Sequence, residues 1–207
     1  MVKNRTELQG VILVSFEYPP RSLSIISDKV GKLAEFLSKR NISTWVITFD
    51  DWRSGIEEQG EIIVNRIPYH VPNNISFLSL VMNLKTAYQS ALGGIIHDYE
   101  INLIHFFDWP CLPTLIGWEP GLKLPKLFSL HSIQSERDPK INPYNEGIKK
   151  IESLGMGAAD GIISDSAELS EKIVNEYNIR KDKITVLPFK DKNFSKKIID
   201  YYSKFID

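Results

Sequence analysis

The sequence predicts an α/β protein with a doubly wound, mostly parallel sheet and a carboxyl-terminal amphipathic helix. Short apolar runs rich in β-branched residues alternate along the whole chain with longer stretches whose apolar residues recur at helical spacing. The strand-like runs also end abruptly in polar residues. The run at 11–14 is the clearest case, because Pro19 and Pro20 follow it and oppose both a longer strand and an immediate helix.

Each predicted element follows from one of these two patterns. Strands are predicted at 11–14, 43–49, 61–67, 102–107, 125–130, 161–164 and 183–188. Helices are predicted at 28–41, 74–100, 112–118, 142–158, 167–177 and 193–206. We expect Ser27 or Asp28 to cap the first helix and Asn73 or Asn74 to cap the second. The stretch 50–55 is predicted to be a polar loop.

Composition restricts the class of protein. The 207 residues carry 25 Lys and Arg against 26 Asp and Glu, so a formal charge of -1 gives no overall field to attract nucleic acid. The single cysteine, Cys111, excludes an internal disulfide. No apolar run approaches the ~20 residues that span a bilayer. The sequence therefore indicates one soluble, cytoplasmic domain without a membrane span.

Four of the predicted strands end in polar residues that should gather at one edge of the sheet. In a parallel sheet, loops and helix amino termini converge at the carboxyl ends of the strands, where ligands bind. The candidate binding residues are Glu17, Tyr18, Arg21, Asp108, Trp109, His131, Ser132, Glu136, Arg137, Ser164 and Ser166. We refer to this edge as the rim.

The two strand histidines receive different interpretations. His105 lies inside a buried strand, which favours a hydrogen-bonded core imidazole over a ligand. His131 lies just past its strand, which favours hydrogen bonding to a bound molecule.

Other rim residues leave two interpretations open. Asp108 and Trp109 are suited to hold a sugar, through carboxylate hydrogen bonds and stacking of the indole, and equally suited to cap and pack a following helix. The stretch 164–166 favours a helix cap, although the amides there also suit an anion. Glu136 and Arg137 favour a solvated pair.

Several common site motifs are absent from the sequence. There is no Gly-x-Gly-x-x-Gly after the first strand, no Walker phosphate loop, no Gly-x-Ser-x-Gly elbow and no His-x-x-x-His pair. We therefore expect no metal site and no bound cofactor.

The order of several motifs resembles glycogen-synthase-like and family 4 glycosyltransferases. The matching segments are SFEYPPR at 15–21, VGKLA at 30–34, IHFFDW at 104–109, LHS at 130–132 with Glu136 and Arg137, ADGIISDS at 159–166 and DKITVLP at 182–188. The resemblance covers the amino-terminal half of the two-domain GT-B fold. It implies a Rossmann-like domain at 1–190, with the helix at 191–207 packing back on it.

The resemblance also implies roles for the rim residues. The amino-terminal half of such enzymes binds the acceptor sugar, and the other half binds the nucleotide sugar, which is a substrate and not a cofactor. His131 would lie near the transferred sugar as a catalytic residue, Asp108 and Trp109 would shape the acceptor side, and residues 17–21 would lie beneath the donor diphosphate.

Three hypotheses follow from these features. The first is an acceptor-side half that acts on a sugar or glycan with a separately encoded donor-binding half. The second is an inactive glycan-binding or protein-interaction module, because residues 22–26 replace the Gly-Gly usual before the first helix and Phe107 replaces a histidine of the family's His-x-His-Asp-Trp segment. The third is an independent Rossmann-like enzyme.

Overall fold

Eight strands form one sheet in this computed structural model, which describes residues 8–69, 75–118 and 123–206. The strands are β1 (Gly10–Ser15), β2 (Ser43–Phe49), β3 (Gly55–Gln59), β4 (Ile62–Ile67), β5 (Leu103–Phe107), β6 (Lys126–Leu130), β7 (Gly161–Ser164) and β8 (Ile184–Val186). Their order is β3-β4-β2-β1-β5-β6-β7-β8. All neighbours are parallel except β3 and β4. The predicted doubly wound, mostly parallel sheet is confirmed.

Helices cover both faces of the sheet. They are α1 (Ile25–Ser38), α2 (Phe77–Asp98), α3 (Leu112–Leu115), α4 (Gln134–Arg137), α5 (Pro143–Ala158), α6 (Ala167–Tyr177) and α7 (Phe194–Tyr202). One apolar core lies beneath α1 and α7, and the other lies beneath α2, α3, α5 and α6. Along β1, Val11 and Leu13 enter the first core, whereas Ile12 and Val14 enter the second, because successive side chains point to opposite faces.

Three element boundaries differ from the sequence-based prediction. Helix α1 begins at Ile25, and its cap is Ser24, whose hydroxyl accepts a hydrogen bond from the Ile26 amide at 3.1 Å. Ser27 is instead buried and donates to a backbone carbonyl. Helix α2 is capped by Ser76, and the predicted caps at 73 and 74 lie outside the described residues. The helix predicted at 112–118 is only the short α3, preceded by a 3₁₀ turn.

Strand β3 was not predicted at all. Its residues are mostly exposed and polar, and it pairs antiparallel with β4 at the edge of the sheet. An edge strand of this kind needs no apolar face, so it leaves no periodic signal in the sequence. The stretch 134–137, for which no helix or strand is predicted, forms the short helix α4.

The carboxyl-terminal helix is amphipathic, as predicted, and packs beside α1. Phe194, Ile198 and Tyr202 are almost completely buried in the core on that face. A β-carbon at Gly161 would lie 2.5 Å from the Tyr201 hydroxyl, so the helix approaches β7 at a position where only glycine leaves enough room. Among the described helices, none is long and apolar enough to cross a membrane.

Candidate functional site

Asp108 is held in a strained conformation at the carboxyl end of β5. Its backbone has φ 62° and ψ 162°, a region that residues with a side chain rarely adopt. The Asp108 amide donates to the Ser129 carbonyl at 2.8 Å, which fixes the backbone against β6. Oδ1 of this carboxylate is buried and has no hydrogen-bond partner in the described part of the chain. Burial raises the pKa of Asp108, and the nearby charges of His131 and Arg137 oppose that increase.

His131 faces Asp108 from the end of β6. Its Nδ1 lies 3.7 Å from Asp108 Oδ1, which is too long for a hydrogen bond. This Nδ1 is also buried without a partner among residues 8–69, 75–118 and 123–206. A hydroxyl placed between the two atoms would satisfy both, by donating to the carboxylate and accepting from the imidazole.

Trp109 packs beneath the rim. It is buried, its ring meets the edge of the Phe77 ring at 5.4 Å between centroids, and the Arg137 guanidinium lies 5.5 Å from the indole centre. The Asp108 side chain makes no capping hydrogen bond to the 3₁₀ turn that follows. The sequence leaves two interpretations of these residues open, sugar binding and helix capping with packing. Trp109 packs as the second interpretation predicts, but Asp108 does not cap the turn.

Arg137 and Glu136 do not form the predicted solvated pair. Arg137 pairs with Glu152 of α5, a fully buried carboxylate that also accepts hydrogen bonds from the Gln134 amide and the Tyr177 hydroxyl. Arg137 also donates to the carbonyl of Ser132 at 2.9 Å and to its hydroxyl at 3.3 Å.

Glu136 binds Lys172 at 2.9 Å. Because Arg137 bonds both to Glu152 of α5 and to Ser132, it anchors the loop that carries His131 to α5.

Glu17 occupies the amino terminus of α1. Its carboxylate accepts hydrogen bonds from the amides of Leu23 and Ser24 and from the Ser24 hydroxyl, and the residue is only 6% exposed. The chain's own negative charge therefore lies where a helix amino terminus would otherwise attract an anion.

The other two candidates near β1 also have protein partners. Tyr18 is buried in the core under α1, and burial raises its pKa to about 12. Arg21 forms an ion pair with Asp51 at 2.9 Å and lies over the rings of Phe16 and Phe49, at 5.0 and 4.6 Å from their centroids.

Ser164 and Ser166 serve the backbone at the end of β7. The Ser166 hydroxyl accepts from the Leu169 amide at 3.0 Å and caps α6, as the favoured interpretation predicts. The Ser164 hydroxyl is buried and donates to the carbonyl of Ser166.

His105 is the hydrogen-bonded core imidazole that its position predicts. It is fully buried, with Nδ1 2.6 Å from the Tyr202 hydroxyl of α7 and Nε2 2.7 Å from the Ser129 hydroxyl of β6. Burial lowers its pKa to about 3, so the ring is neutral at physiological pH. Burial likewise raises the pKa of the Cys111 thiol, which makes it a poor nucleophile at neutral pH.

With this geometry established, the family can be assigned. The model of Glycosyltransferase Family 4 matches residues 30–188. The chain belongs to this family. Among curated proteins, no sequence matches the chain.

Solved structures share the fold at low sequence identity to this family 4 chain. Sucrose-phosphate synthase from Thermosynechococcus elongatus superposes with a TM-score of 0.67 at 15% identity, over 87% of this chain and 48% of that one. The catalytic domain of starch synthase IV from Arabidopsis thaliana, bound to ADP and acarbose, gives 0.61 at 12%, over 88% and 52%. The chain thus spans about half the length of these GT-B glycosyltransferases and corresponds to their amino-terminal half.

A third structure has nearly the same extent as the family 4 chain. It is another solved form of the same sucrose-phosphate synthase, with a TM-score of 0.62 at 16% identity, and the match covers 95% of this chain and 97% of that one. Almost the whole chain therefore has a counterpart in a solved structure of similar length.

The parallel strands bring most of the predicted rim residues to one edge, and in the described part of the chain Asp108, His131 and the neighbouring Ser135 have buried side-chain atoms without a partner there. Sequence reasoning missed Glu152, Asp50 and Arg66, which are buried charges that hold the rim loops. The sequence signal that could have revealed Glu152 is its position on the inner face of an amphipathic helix. No group of three metal-ligating side chains occurs among the described residues.

Proposed function

We propose that this chain is the acceptor-side half of a glycosyltransferase similar to glycogen or starch synthase. It would transfer a glycosyl group from a nucleotide sugar to an acceptor glycan, together with a separately encoded donor-binding half. The observation that supports this most is the pair of buried, unpartnered atoms, Asp108 Oδ1 and His131 Nδ1, 3.7 Å apart at the ends of β5 and β6.

The pair suits the chemistry of an acceptor hydroxyl. The hydroxyl donates to Asp108 and accepts from His131, which fixes its oxygen towards the anomeric carbon of the donor. As the new bond to that carbon forms, the bond from the carbon to the diphosphate oxygen breaks, and the hydroxyl proton passes to the Asp108 carboxylate. The raised pKa of Asp108 favours this proton uptake. The His131 hydrogen bond stabilises the charge that develops.

The amino terminus of α1 is poorly suited to bind the donor diphosphate. At the amino terminus of α1, the amides of Leu23 and Ser24 are already bonded to Glu17, and a second anion there would meet its negative charge. This supports a donor-binding half that supplies the basic groups, as does the half-length match to GT-B enzymes.

Reconstitution tests the proposal. The chain, the candidate donor-binding half and their mixture are each assayed with nucleotide sugars and maltooligosaccharide acceptors, and transfer is expected only in the mixture. Asp108→Asn and His131→Ala should each lower the rate by about 100-fold or more. His97→Gln, which removes an exposed histidine from α2, is the matched control and should leave the rate unchanged. Equal rates for all variants, or no transfer by the mixture, would remove the proposal.

A second candidate is a catalytically inactive module that binds a glycan or a protein. Two observations favour it. The Glu17 carboxylate occupies the amino terminus of α1, and Phe107 is buried against His105 and presents no polar group at the rim. Calorimetric titrations separate the two candidates. Adding a module leaves the affinity of the donor-binding half for the nucleotide sugar unchanged, whereas adding the proposed acceptor-side half completes the cleft and strengthens it.

A further inference from the structure

A cavity of about 460 Å³ lies beside the rim, apart from Asp108 and His131, and the proposed reaction does not use it. It is lined by residues 20–23 of the β1–α1 loop and 50–53 of the β2–β3 loop. Its volume falls in the range of small-molecule sites, about 300–1,000 Å³.

Trp52 at this cavity is 92% exposed, whereas Trp45 and Trp109 are buried. An indole left in water beside a concave surface is typical of a binding site.

The loop that carries Trp52 is rigidly held. Asp50 is buried, and its Oδ1 accepts hydrogen bonds from the amides of Trp52 and Arg53 at 2.9 and 3.0 Å. Its Oδ2 is bonded to Arg66, a guanidinium that is only 1% exposed and that also donates to the carbonyl of Pro19 at 2.7 Å. One buried arginine thus ties the two loops together. These bonds hold the backbone at Trp52 in place before any ligand arrives, which lowers the entropy lost on binding.

The polar groups at the cavity favour a sugar. Arg21 and Asp51 form an ion pair in the wall, and Arg53 is exposed beside them. A pyranose has a face of C–H bonds that stacks on an indole and a perimeter of hydroxyls that bonds to such charged groups. A phosphate is disfavoured, because the carboxylates of Asp50 and Asp51 lie at the wall and Arg21 is already paired with Asp51.

A row of aromatic rings connects this cavity to the Asp108 and His131 pair. From Trp109 the row passes through Phe77, Phe16 and Phe49, with successive centroids 5.4, 5.2 and 5.1 Å apart, and ends under Arg21. Phe16, Phe49 and Trp109 are buried, so this row lies beneath the surface and packs under both places.

We propose that the cavity beside Trp52 is a carbohydrate subsite that holds the non-reacting part of an oligosaccharide acceptor. Trp52 is the stacking platform, and Asp51 and Arg53 bond to sugar hydroxyls. The role as an acceptor subsite rests on the proposed function, but sugar binding itself does not, so it is tested on the full chain with no donor and no donor-binding half.

Acrylamide quenching of tryptophan fluorescence tests the site directly. Maltohexaose, cellohexaose and laminarihexaose are the probes, and UDP is the nucleotide control. We expect at least one hexasaccharide to protect the exposed tryptophan from acrylamide, and Trp52→Phe to abolish that change in quenching. Protection by UDP and not by any hexasaccharide, or no protection by any hexasaccharide, would overturn the proposal.

Calorimetry with the same hexasaccharide gives the affinity change. Trp52→Ala should weaken binding by about tenfold, with Trp52→Phe in between, since a smaller ring retains part of the stacking. Tyr144→Ala, which removes an aromatic ring 41% exposed on α5, is the matched control and should bind like wild type. Equal dissociation constants for Trp52→Ala and wild type would contradict the subsite. If Asp108→Asn loses transfer while the hexasaccharide still protects its Trp52 from acrylamide, sugar binding at the subsite does not depend on the reaction.

Discussion

Replacing His105 by glutamine should flatten the acid dependence of stability. In the folded protein the pKa of His105 is lowered to about 3, because the ring is completely buried between Tyr202 and Ser129. In the unfolded chain the same ring has an ordinary pKa of about 6.5. The unfolded state therefore binds more protons below about pH 6.5, so this histidine makes the protein less stable as the pH falls towards 3.

The size of the effect follows from one proton. Between about pH 5.5 and 4.0 the unfolded chain holds nearly one proton more at this site, which lowers the free energy of unfolding by about 1.4 kcal/mol per pH unit, or about 2 kcal/mol over the interval. The variant lacks this contribution. Its loss of ring hydrogen bonds costs about 1–3 kcal/mol at every pH, which shifts the curve without changing its slope.

Urea unfolding at several pH values between 4.0 and 5.5 measures the slope. His97→Gln is the matched control for removal of a histidine, and Tyr202→Phe weakens the same cluster while keeping His105 in place. Both should keep the wild-type slope. A His105→Gln curve parallel to wild type throughout this interval would show that the imidazole is not held neutral, and the reasoning would be refuted.

Three further substitutions test the rim and the terminal helix. Asp108→Gly should stabilise the protein by about 1–2 kcal/mol, since it relieves the strained backbone and the buried carboxylate, while abolishing transfer; a lower unfolding midpoint in urea would contradict this. Arg137→Ala leaves Glu152 buried without its cation and should cost about 3 kcal/mol in urea unfolding, against a clearly smaller loss for Lys172→Ala, whose ion pairs lie at the surface; equal losses would be inconsistent with a buried pair. Gly161→Ala places a β-carbon against Tyr201 and should speed proteolytic cleavage near the carboxyl terminus, and an unchanged cleavage rate would show that the helix tolerates the added group.

The layout of the sheet could be predicted because its strands are buried on both faces. The runs at β1, β2 and β5 are mostly apolar and almost entirely buried, as expected of parallel strands covered by helices. Strand β3 escaped prediction because a polar edge strand has no such signal. The start of α1 was placed too late in the prediction. Glu17, seven residues before Ser24, accepts hydrogen bonds from the Ser24 amide and hydroxyl at that end of the helix. Such a contact depends on the turn at the prolines and not on local helix propensity.

The candidate site was predicted in position but not in detail. Parallel strands place the residues after β5 and β6 side by side, which is why Asp108 and His131 could be expected to meet. The sequence does not reveal that Arg137 bonds to Glu152, because that pairing depends on how α5 crosses the end of β6. It also gives no indication that Asp108 adopts a positive φ, since the β6 hydrogen bond that holds it is a tertiary contact.

The two margins of the sheet have a consequence for assembly. On one side, β3 carries Glu57 and Glu58, whose charges repel an approaching strand of like sequence. On the other side, β8 is only three residues long, and Pro188 follows it closely. Both margins thus oppose extension of the sheet by another molecule. Contacts with any other molecule are consequently left to the helical faces and to the loops above the strands, where the polar side chains are concentrated.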